Sequence, residues 1–199
     1  MIEPFESFIL AGGLSRRMGT DKASLIMDEE TLIQRAVTTL SKVSSSVTIV
    51  GRSSDDMRAR VAPDLHANWG ALGGLHAALS ACQSDWAFVV ACDLPFVTAD
   101  LINHLASARV NQEAVVVIQK DQRPQPLCAF YRVDPCLARA SELIDSGHRR
   151  PLDLLESVNT RWIPFTELAH LDDSQNFFLN INTPEDYYEA TQKAAAHKK

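Results

Sequence analysis

Short apolar runs alternate with helical patterns along this chain. The runs predict strands at 5–10, 46–50, 86–92, 114–119 and 126–131. The run at 86–92 is almost uninterrupted apolar sequence, which is typical of a strand covered on both faces of a parallel sheet. Runs of this length, separated by segments long enough for helices, indicate an α/β architecture.

The segments between the runs carry helix periodicity and helix start signals. Apolar residues fall on one face of 31–42, where Thr31 and Gln34 have the spacing of a capping box. The same kinds of signal predict helices that open at Gly73–Gly74, after Thr98, at 134–145 and after Thr183. Strands joined by such helices imply right-handed crossovers. We therefore predict one doubly wound, mostly parallel sheet with helices on both faces.

Size and composition limit the function. The 199 residues fit one domain spanning 1–199, and the net charge of −6 argues against a general nucleic-acid binder, which is usually basic. We expect no cleavable leader, and the sequence holds no apolar run long enough to cross a membrane. The four cysteines form no C-x-x-C pair. We expect a cytoplasmic protein with reduced thiols and with neither nucleic acid nor membrane as a partner.

A glycine-rich segment follows the first predicted strand. Gly12 and Gly13 are followed by Arg16, Arg17 and Lys22. Glycines let backbone N–H groups approach phosphate oxygens, and the basic side chains neutralise them. The spacing matches neither a Walker A loop nor a dinucleotide fingerprint. It predicts a polyphosphate site, and the alternative is a surface loop with incidental basic residues.

Polar residues follow other predicted strands at the edge where open α/β sheets bind ligands. Asp93 follows a buried run, where a carboxylate is costly unless it is solvated, paired or metal-bound. One carboxylate is enough for Mg²⁺ when a nucleotide supplies further oxygens. Asn180 and Asn182 are spaced by two, so their amides would share one side of a strand. The alternatives are a turn or cap role for Asp93 and a helix-cap role for Asn182.

These segments together resemble a known family. Residues 10–22 match L-A-G-G-x-S-x-R-M-G-x-D-K, 92–96 match C-D-x-P-F, and 180–186 match N-x-N-T-P-E-[DE]. Residues 63–74 resemble an aspartate followed by G-P-L-x-G, with Ala71 in place of the proline. In their order along the chain, the motifs are similar to those of the molybdenum cofactor guanylyltransferases, which have a Rossmann-like nucleotidyltransferase fold. The resemblance covers nearly the whole chain.

The resemblance implies an activity and roles for particular residues. The reaction would transfer GMP from GTP to the phosphate of molybdenum-bound molybdopterin, with Mg²⁺ as cofactor and pyrophosphate as product. Cofactor insertion proteins or apo-oxidoreductases are further implied partners. The implied catalytic residues are Arg16, Lys22 and Asp93, and the implied GTP-binding residues are Leu10, Ala11, Gly12, Gly13, Lys22, Asp64 and Asp93, with the backbone N–H groups of 11–13 on the nucleotide. The implied metal ligands are Asp93, Asn180 and Asn182, and the implied pterin-binding residues are Gln125, Arg149 and Arg150.

Several functions share parts of this pattern. A cytidylyltransferase acting on the same pterin is the nearest, although such enzymes tend to carry L-A-A-G where this chain has Gly12. A sugar-1-phosphate nucleotidyltransferase and a nucleotide-binding adaptor without chemistry are also compatible with it. A solvated basic turn is the alternative for Arg149 and Arg150.

Overall fold

A seven-stranded sheet forms the centre of the computed structural model, which describes residues 3–12, 22–66 and 69–196. The strands are β1 (Glu6–Leu10), β2 (Ile26–Met27), β3 (Glu30–Thr31), β4 (Val47–Val50), β5 (Arg60–Ala62), β6 (Trp86–Ala91), β7 (Ala114–Ile118), β8 (Pro124–Arg132) and β9 (Thr160–Pro164). The α-helices are α1 (Leu32–Leu40), α2 (Gly70–Ala81), α3 (Ala99–Ser107), α4 (Val133–Asp145), α5 (Pro151–Leu155) and α6 (Pro184–Ala196). Short 3-10 helices cover Lys22–Ser24 and Phe165–Glu167.

The strand order is β5-β4-β1-β6-β8-β7-β9, and β2 pairs with β3 in a separate antiparallel hairpin. Within the large sheet, β8 runs antiparallel to both of its neighbours, and the other pairings are parallel. The prediction of a mostly parallel sheet is therefore confirmed. Because β8 is reversed, its first residues lie at the edge where the parallel strands end.

Helices cover the sheet on both faces, as predicted. Ile9 packs with residues of α1 and α3, whereas Phe8 and Leu10 pack with residues of α2, α4 and α5. Successive side chains of a strand point to opposite faces, so each interior strand must be apolar on both sides. This requirement explains the uninterrupted apolar run of β6.

The predicted helix starts agree with the structure where a side chain makes the cap. Thr31 accepts from the N–H of Gln34 at 3.2 Å, and the Gln34 amide oxygen accepts from the N–H of Thr31 at 2.9 Å. Thr98 accepts from the N–H of Leu101 at 3.2 Å at the start of α3. Each bond satisfies an N–H group that the first helical turn leaves unpaired.

Other boundaries differ from the predictions. The helix predicted to open at Gly73–Gly74 begins at Gly70, because Gly70 adopts φ +74° and the N–H of Leu72 donates to the carbonyl oxygen of Arg149. This distant partner leaves no signal in the local pattern. The predicted strand 126–131 begins at Pro124, a position that proline tolerates at a strand start. The short strands β2, β3, β5 and β9 and helix α5 have no counterpart among the predicted elements.

None of the helices within the described ranges has the length and apolar content needed to span a bilayer.

A buried guanidinium joins the N-terminal segment to α3. The guanidinium carbon of Arg109 lies 5.3, 5.2 and 4.9 Å from the ring centres of Phe5, Trp86 and Phe130. Its Nε donates to the carbonyl oxygen of Ala106 at 2.9 Å, and its Nη2 donates to that of residue 3 at 2.5 Å. Only 6% of the Arg109 surface is exposed, and burial lowers the pKa of its guanidinium. Aromatic faces thus take over part of the stabilisation that water would give the cation.

Arg109→Ala should lower the free energy of unfolding by about 2–4 kcal/mol, since it removes the three cation–π contacts and also leaves buried volume unfilled. Arg109→Met should lose less because its chain still fills the space between the rings. Chemical denaturation measures both, with exposed Arg60→Ala as a control expected to change stability by less than about 0.5 kcal/mol. A denaturation midpoint for Arg109→Ala equal to that of the unmodified protein would contradict this account.

Candidate active site

The order of the strands brings two functional segments together. From β1 the sheet continues outward to β4 and β5, and from β6 it continues in the opposite direction. Ligands of open α/β sheets bind at such a reversal, beyond the carboxyl ends of the strands. The N–H of Cys92 donates to the carbonyl oxygen of Leu10 at 3.2 Å, so the segments after β1 and β6 leave the sheet side by side.

A lysine and a carboxylate meet at this reversal. The Nζ of Lys22 lies 3.3 Å from Oδ2 of Asp93 and donates to Oδ1 of Asn182 at 2.7 Å. The Lys22 and Asp93 side chains are 19% and 20% exposed, so both charges are largely withdrawn from water. Three of the predicted site residues, which lie far apart in sequence, therefore form one cluster.

The segment before α6 is held against Asp93 by its backbone. The N–H of Ile181 donates to the carbonyl oxygen of Asp93 at 3.0 Å. The spacing of Asn180 and Asn182 would place both amides on the same side only in a strand. Residues 179–183 form no strand, so the two amides need not share a side. Asn182 contacts Lys22, whereas the Asn180 amide donates to the carbonyl oxygen of Phe178 at 3.4 Å.

Asp186 fixes the same segment from the first turn of α6. Its Oδ2 accepts from the N–H of Asn182 at 2.9 Å and from the N–H of Thr183 at 2.8 Å. The backbone bond from Asn182 is the largest cause that lowers the pKa of Asp186, and the charge of Lys22 also lowers it. Its carboxylate is stabilised in the ionised form because hydrogen bonds and a cation favour the negative charge.

A second group lies beyond β1, β4 and β5. A Cβ atom added to Gly51 would lie 3.2 Å from the Cα of Gly12 and 3.7 Å from the Cβ of Asp64. Gly51 also adopts φ +80°, which side chains other than that of glycine rarely allow. Asp64 is exposed, and its Oδ1 accepts from the N–H of His66 at 3.0 Å. Gly51 thus keeps the space between Gly12 and Asp64 free of side chains.

The predicted pterin-side residues lie on the face of the sheet that carries α2. Gln125 is buried near the start of β8, and its side chain has no hydrogen-bond partner in the part of the chain described. The guanidinium of Arg149 stacks 4.6 Å from the Trp69 ring centre. Arg150 precedes α5, and its Nε lies 3.7 Å from Oδ1 of Asp153. The sequence interpretation missed Trp69, because nothing in the local pattern shows that it faces Arg149.

The structure also limits what the first loop offers. The N–H of Ala11 donates to the carbonyl oxygen of Val50 at 3.2 Å, so the prediction that this N–H is available to a nucleotide is wrong. Leu10 is buried in the core, with its side chain against Gly74. The GTP contact predicted for Leu10 stays a prediction, as does a contact of Ala11 through atoms other than its N–H. Gly13 and Arg16 lie outside the described residues.

Three of the four cysteines are poorly suited to nucleophilic chemistry. Burial raises the pKa of the Cys128 and Cys136 thiols to about 12 and that of Cys82 to about 11. A thiol with such a pKa carries almost no thiolate at neutral pH.

The described residues also hold no group of three His, Cys, Asp or Glu side chains placed to bind a metal.

Comparison with known proteins decides the family. A model described as the MobA-like NTP transferase domain matches residues 7–160. The chain belongs to this family.

Full-length relatives agree with this MobA-like assignment. A probable molybdenum cofactor guanylyltransferase from Pelotomaculum thermopropionicum is 35% identical over 185 residues, covering 92% of this chain and 89% of the relative. A molybdenum cofactor guanylyltransferase from Vibrio campbellii is 31% identical over 193 residues, covering 94% and 95%. These similarities confirm the resemblance indicated by the motifs and the assignment to the nucleotidyltransferases.

A solved structure supports the fold of this MobA-like chain. Molybdopterin-guanine dinucleotide biosynthesis protein A from Archaeoglobus fulgidus superimposes with a TM-score of 0.82 at 28% identity. The match covers 96% of this chain and 99% of that protein. The predicted nucleotidyltransferase fold is therefore confirmed.

Gly73→Ala should disturb the contact of Trp69 with Arg149 in this MobA-like domain. Its Cβ would lie 2.8 Å from the Trp69 Cβ, whereas a Cβ at Gly74 would lie 3.4 Å from the end of the Leu10 side chain. We expect Gly73→Ala to cost about 1–3 kcal/mol of stability through overpacking. Gly74→Ala should be tolerated because alanine favours the helix and the leucine can adjust.

Denaturation and tryptophan emission measure the two glycine variants. The emission should change for Gly73→Ala, and this change should disappear when Trp69→Phe is combined with it. Equal stability of the two alanine variants would contradict the close packing between α2 and Trp69.

Proposed function

We propose that this chain transfers GMP from GTP to the phosphate of molybdenum-bound molybdopterin and releases pyrophosphate. The observation that carries the proposal is the cluster of Lys22, Asp93 and Asn182 at the reversal of strand order. The cluster supplies a cation and oxygen atoms at the edge where this fold binds ligands. The relatives named as guanylyltransferases support the choice of substrates.

Lys22 would bind the triphosphate of GTP. Its ammonium is held by Asp93 and Asn182 beside the end of β1, so little rearrangement is needed to bring it to a phosphate oxygen. A positioned cation stabilises the negative charge that develops on the departing pyrophosphate. The sequence adds Arg16 and the backbone of Gly12 and Gly13 to this phosphate side.

Asp93 fits the chemistry of a Mg²⁺ site. Its carboxylate is partly exposed, and it shares the Lys22 ammonium with the amide oxygen of Asn182, which accepts a hydrogen bond from it. Mg²⁺ commonly takes one or two carboxylates and completes its shell with phosphate oxygens and water. When bound, the ion would neutralise phosphate charge between the nucleotide and Asp93. We consider Asn182 a better candidate ligand than Asn180, because the Asn180 amide donates to the carbonyl oxygen of Phe178.

The pterin would approach from the side of Gln125, Arg149 and Arg150. The guanidinium of Arg149 is exposed and lies over the ring of Trp69, which orients a donor suited to a phosphate. The pterin phosphate is itself an anion and can attack without a protein nucleophile. The raised pKa values of the buried thiols agree with a direct transfer.

The space between Gly12, Gly51 and Asp64 would hold the nucleoside. A carboxylate can accept hydrogen bonds from the N–H groups at the edge of guanine, and Asp64 is exposed for this purpose. We further propose that the chain acts as one domain in the cytoplasm, where its four free cysteines stay reduced. The product would pass to cofactor insertion proteins or apo-oxidoreductases.

Pyrophosphate release in the presence of molybdenum-bound molybdopterin tests the proposal. With GTP and Mg²⁺ we expect pyrophosphate and a guanine dinucleotide form of the cofactor. CTP should neither replace GTP nor compete with it at equal concentration. Preferred use of CTP would assign a cytidylyltransferase, turnover with a sugar phosphate would assign a sugar nucleotidyltransferase, and binding without pyrophosphate would indicate an adaptor.

Lys22→Ala and Asp93→Ala should each lower turnover by about 10²–10³-fold, as expected when a preorganised charge leaves a closed site. Asp93→Ala should also lose the dependence of the rate on Mg²⁺ concentration. Lys42→Ala, which removes an exposed lysine at the end of α1, is the matched control and should keep full activity. Circular dichroism checks the folding of each variant, and full activity of either site variant would refute its role.

A further inference from the structure

We propose that Asp186 is a positioning residue that sets the place of the Lys22 ammonium by holding Asn182. The inference rests on the proposed function, because it assigns the phosphate-binding role to Lys22. Asp186 itself has no hydrogen bond to Lys22 in the structure; its two acceptor bonds go to the backbone of residues 182 and 183. Its effect therefore passes through residues 182 and 183, directly before α6.

The first step is the contact between Lys22 and Asn182. A lysine side chain has four rotatable carbon–carbon bonds and needs fixed acceptors to keep its ammonium in one place. The bond to Oδ1 of Asn182 is 2.7 Å, shorter than the 3.3 Å approach to Asp93. Asn182 is an exposed residue in a segment without regular structure, so it needs support of its own.

The second step is the support that Asp186 gives. One carboxylate oxygen, Oδ2, accepts from two successive N–H groups, those of Asn182 and Thr183. In return, Oγ1 of Thr183 accepts from the N–H of Asp186 at 3.1 Å. This reciprocal pair fixes the backbone from which the Asn182 side chain extends. The other anchor of the segment is the bond from Ile181 to the Asp93 carbonyl oxygen.

The sequence supplies a matched control at the preceding position. Glu185 is also acidic and lies in the first turn of α6, but it is exposed and makes no hydrogen bond within the described chain. Both carboxylates interact with the positive end of the helix. A change that appears for Asp186 and not for Glu185 therefore reports the hydrogen bonds and not the helix dipole.

Chemical labelling of the protein without nucleotide tests the positioning directly. N-hydroxysuccinimide acetate modifies free amines, and peptide mass spectrometry gives the rate at Lys22 with exposed Lys42 as an internal reference. Asp186→Ala and Asn182→Ala should each raise the Lys22 rate about fivefold, the factor expected for one lost hydrogen bond. Asp186→Asn should keep most of the protection because its amide oxygen can replace Oδ2. Glu185→Ala should leave the rate unchanged.

A double-mutant comparison then tests the link to turnover. Asp186→Ala should slow pyrophosphate release about fivefold in the otherwise unmodified chain and should add little when Asn182→Ala is already present. A role confined to helix stability would instead add its full effect to that of the Asn182 variant. Thermal unfolding identifies any variant that fails to fold, and Asp186→Asn and Asn182→Ala then carry the comparison.

The outcomes separate this inference from the proposed function. If labelling follows the expected pattern but GTP gives no pyrophosphate, the positioning holds and the proposed reaction is wrong. If GTP is used but Asp186→Ala changes neither the labelling of Lys22 nor the rate, the positioning is wrong. Equal labelling of the Asp186 and Glu185 alanine variants would also overturn it.

Discussion

The contact of the Lys22 ammonium with the oxygens of Asp93 and Asn182 is the interaction on which the arrangement of the site depends. A carboxylate that follows a buried strand requires a partner, and a cation drawn from the end of the first loop provides it. This pairing is possible only because β1 and β6 are neighbours at the point where the strand order reverses. The sheet topology thus determines which charges can neutralise each other.

Much of this could be predicted from residues that obey local rules. The apolar run of β6 indicates a strand buried on both faces, and so it places Asp93 at a carboxyl edge. The glycines and cations after β1 place Lys22 at the same edge. Thr31 and Thr98 were recognised as caps because a cap needs only a hydroxyl group and an N–H three residues away.

The parts that escaped prediction depend on distant partners. The start of α2 is set by a bond to the Arg149 carbonyl oxygen, and Trp69 is held by a hydrogen bond from its indole N–H to the His148 carbonyl oxygen and by the Arg149 guanidinium over its ring. The Ala11 N–H is used by Val50, which only strand pairing reveals. In the sequence, Arg109 is an ordinary charged residue near a helix end. In the structure, the rings of Phe5, Trp86 and Phe130 surround its guanidinium. The spacing of residues along the sequence indicates none of these contacts.

The reversed direction of β8 has a consequence for how this architecture can diversify. Because β7 and β8 are antiparallel neighbours, residues 119–123 form a short turn between them at the rim of the sheet that also carries Asp93. The turn joins two strands that are already paired, so its length and sequence can vary without rebuilding a crossover helix. In the reaction proposed above, changes in this turn would alter the approach to Gln125 and leave the contact of Lys22 with Asp93 in place.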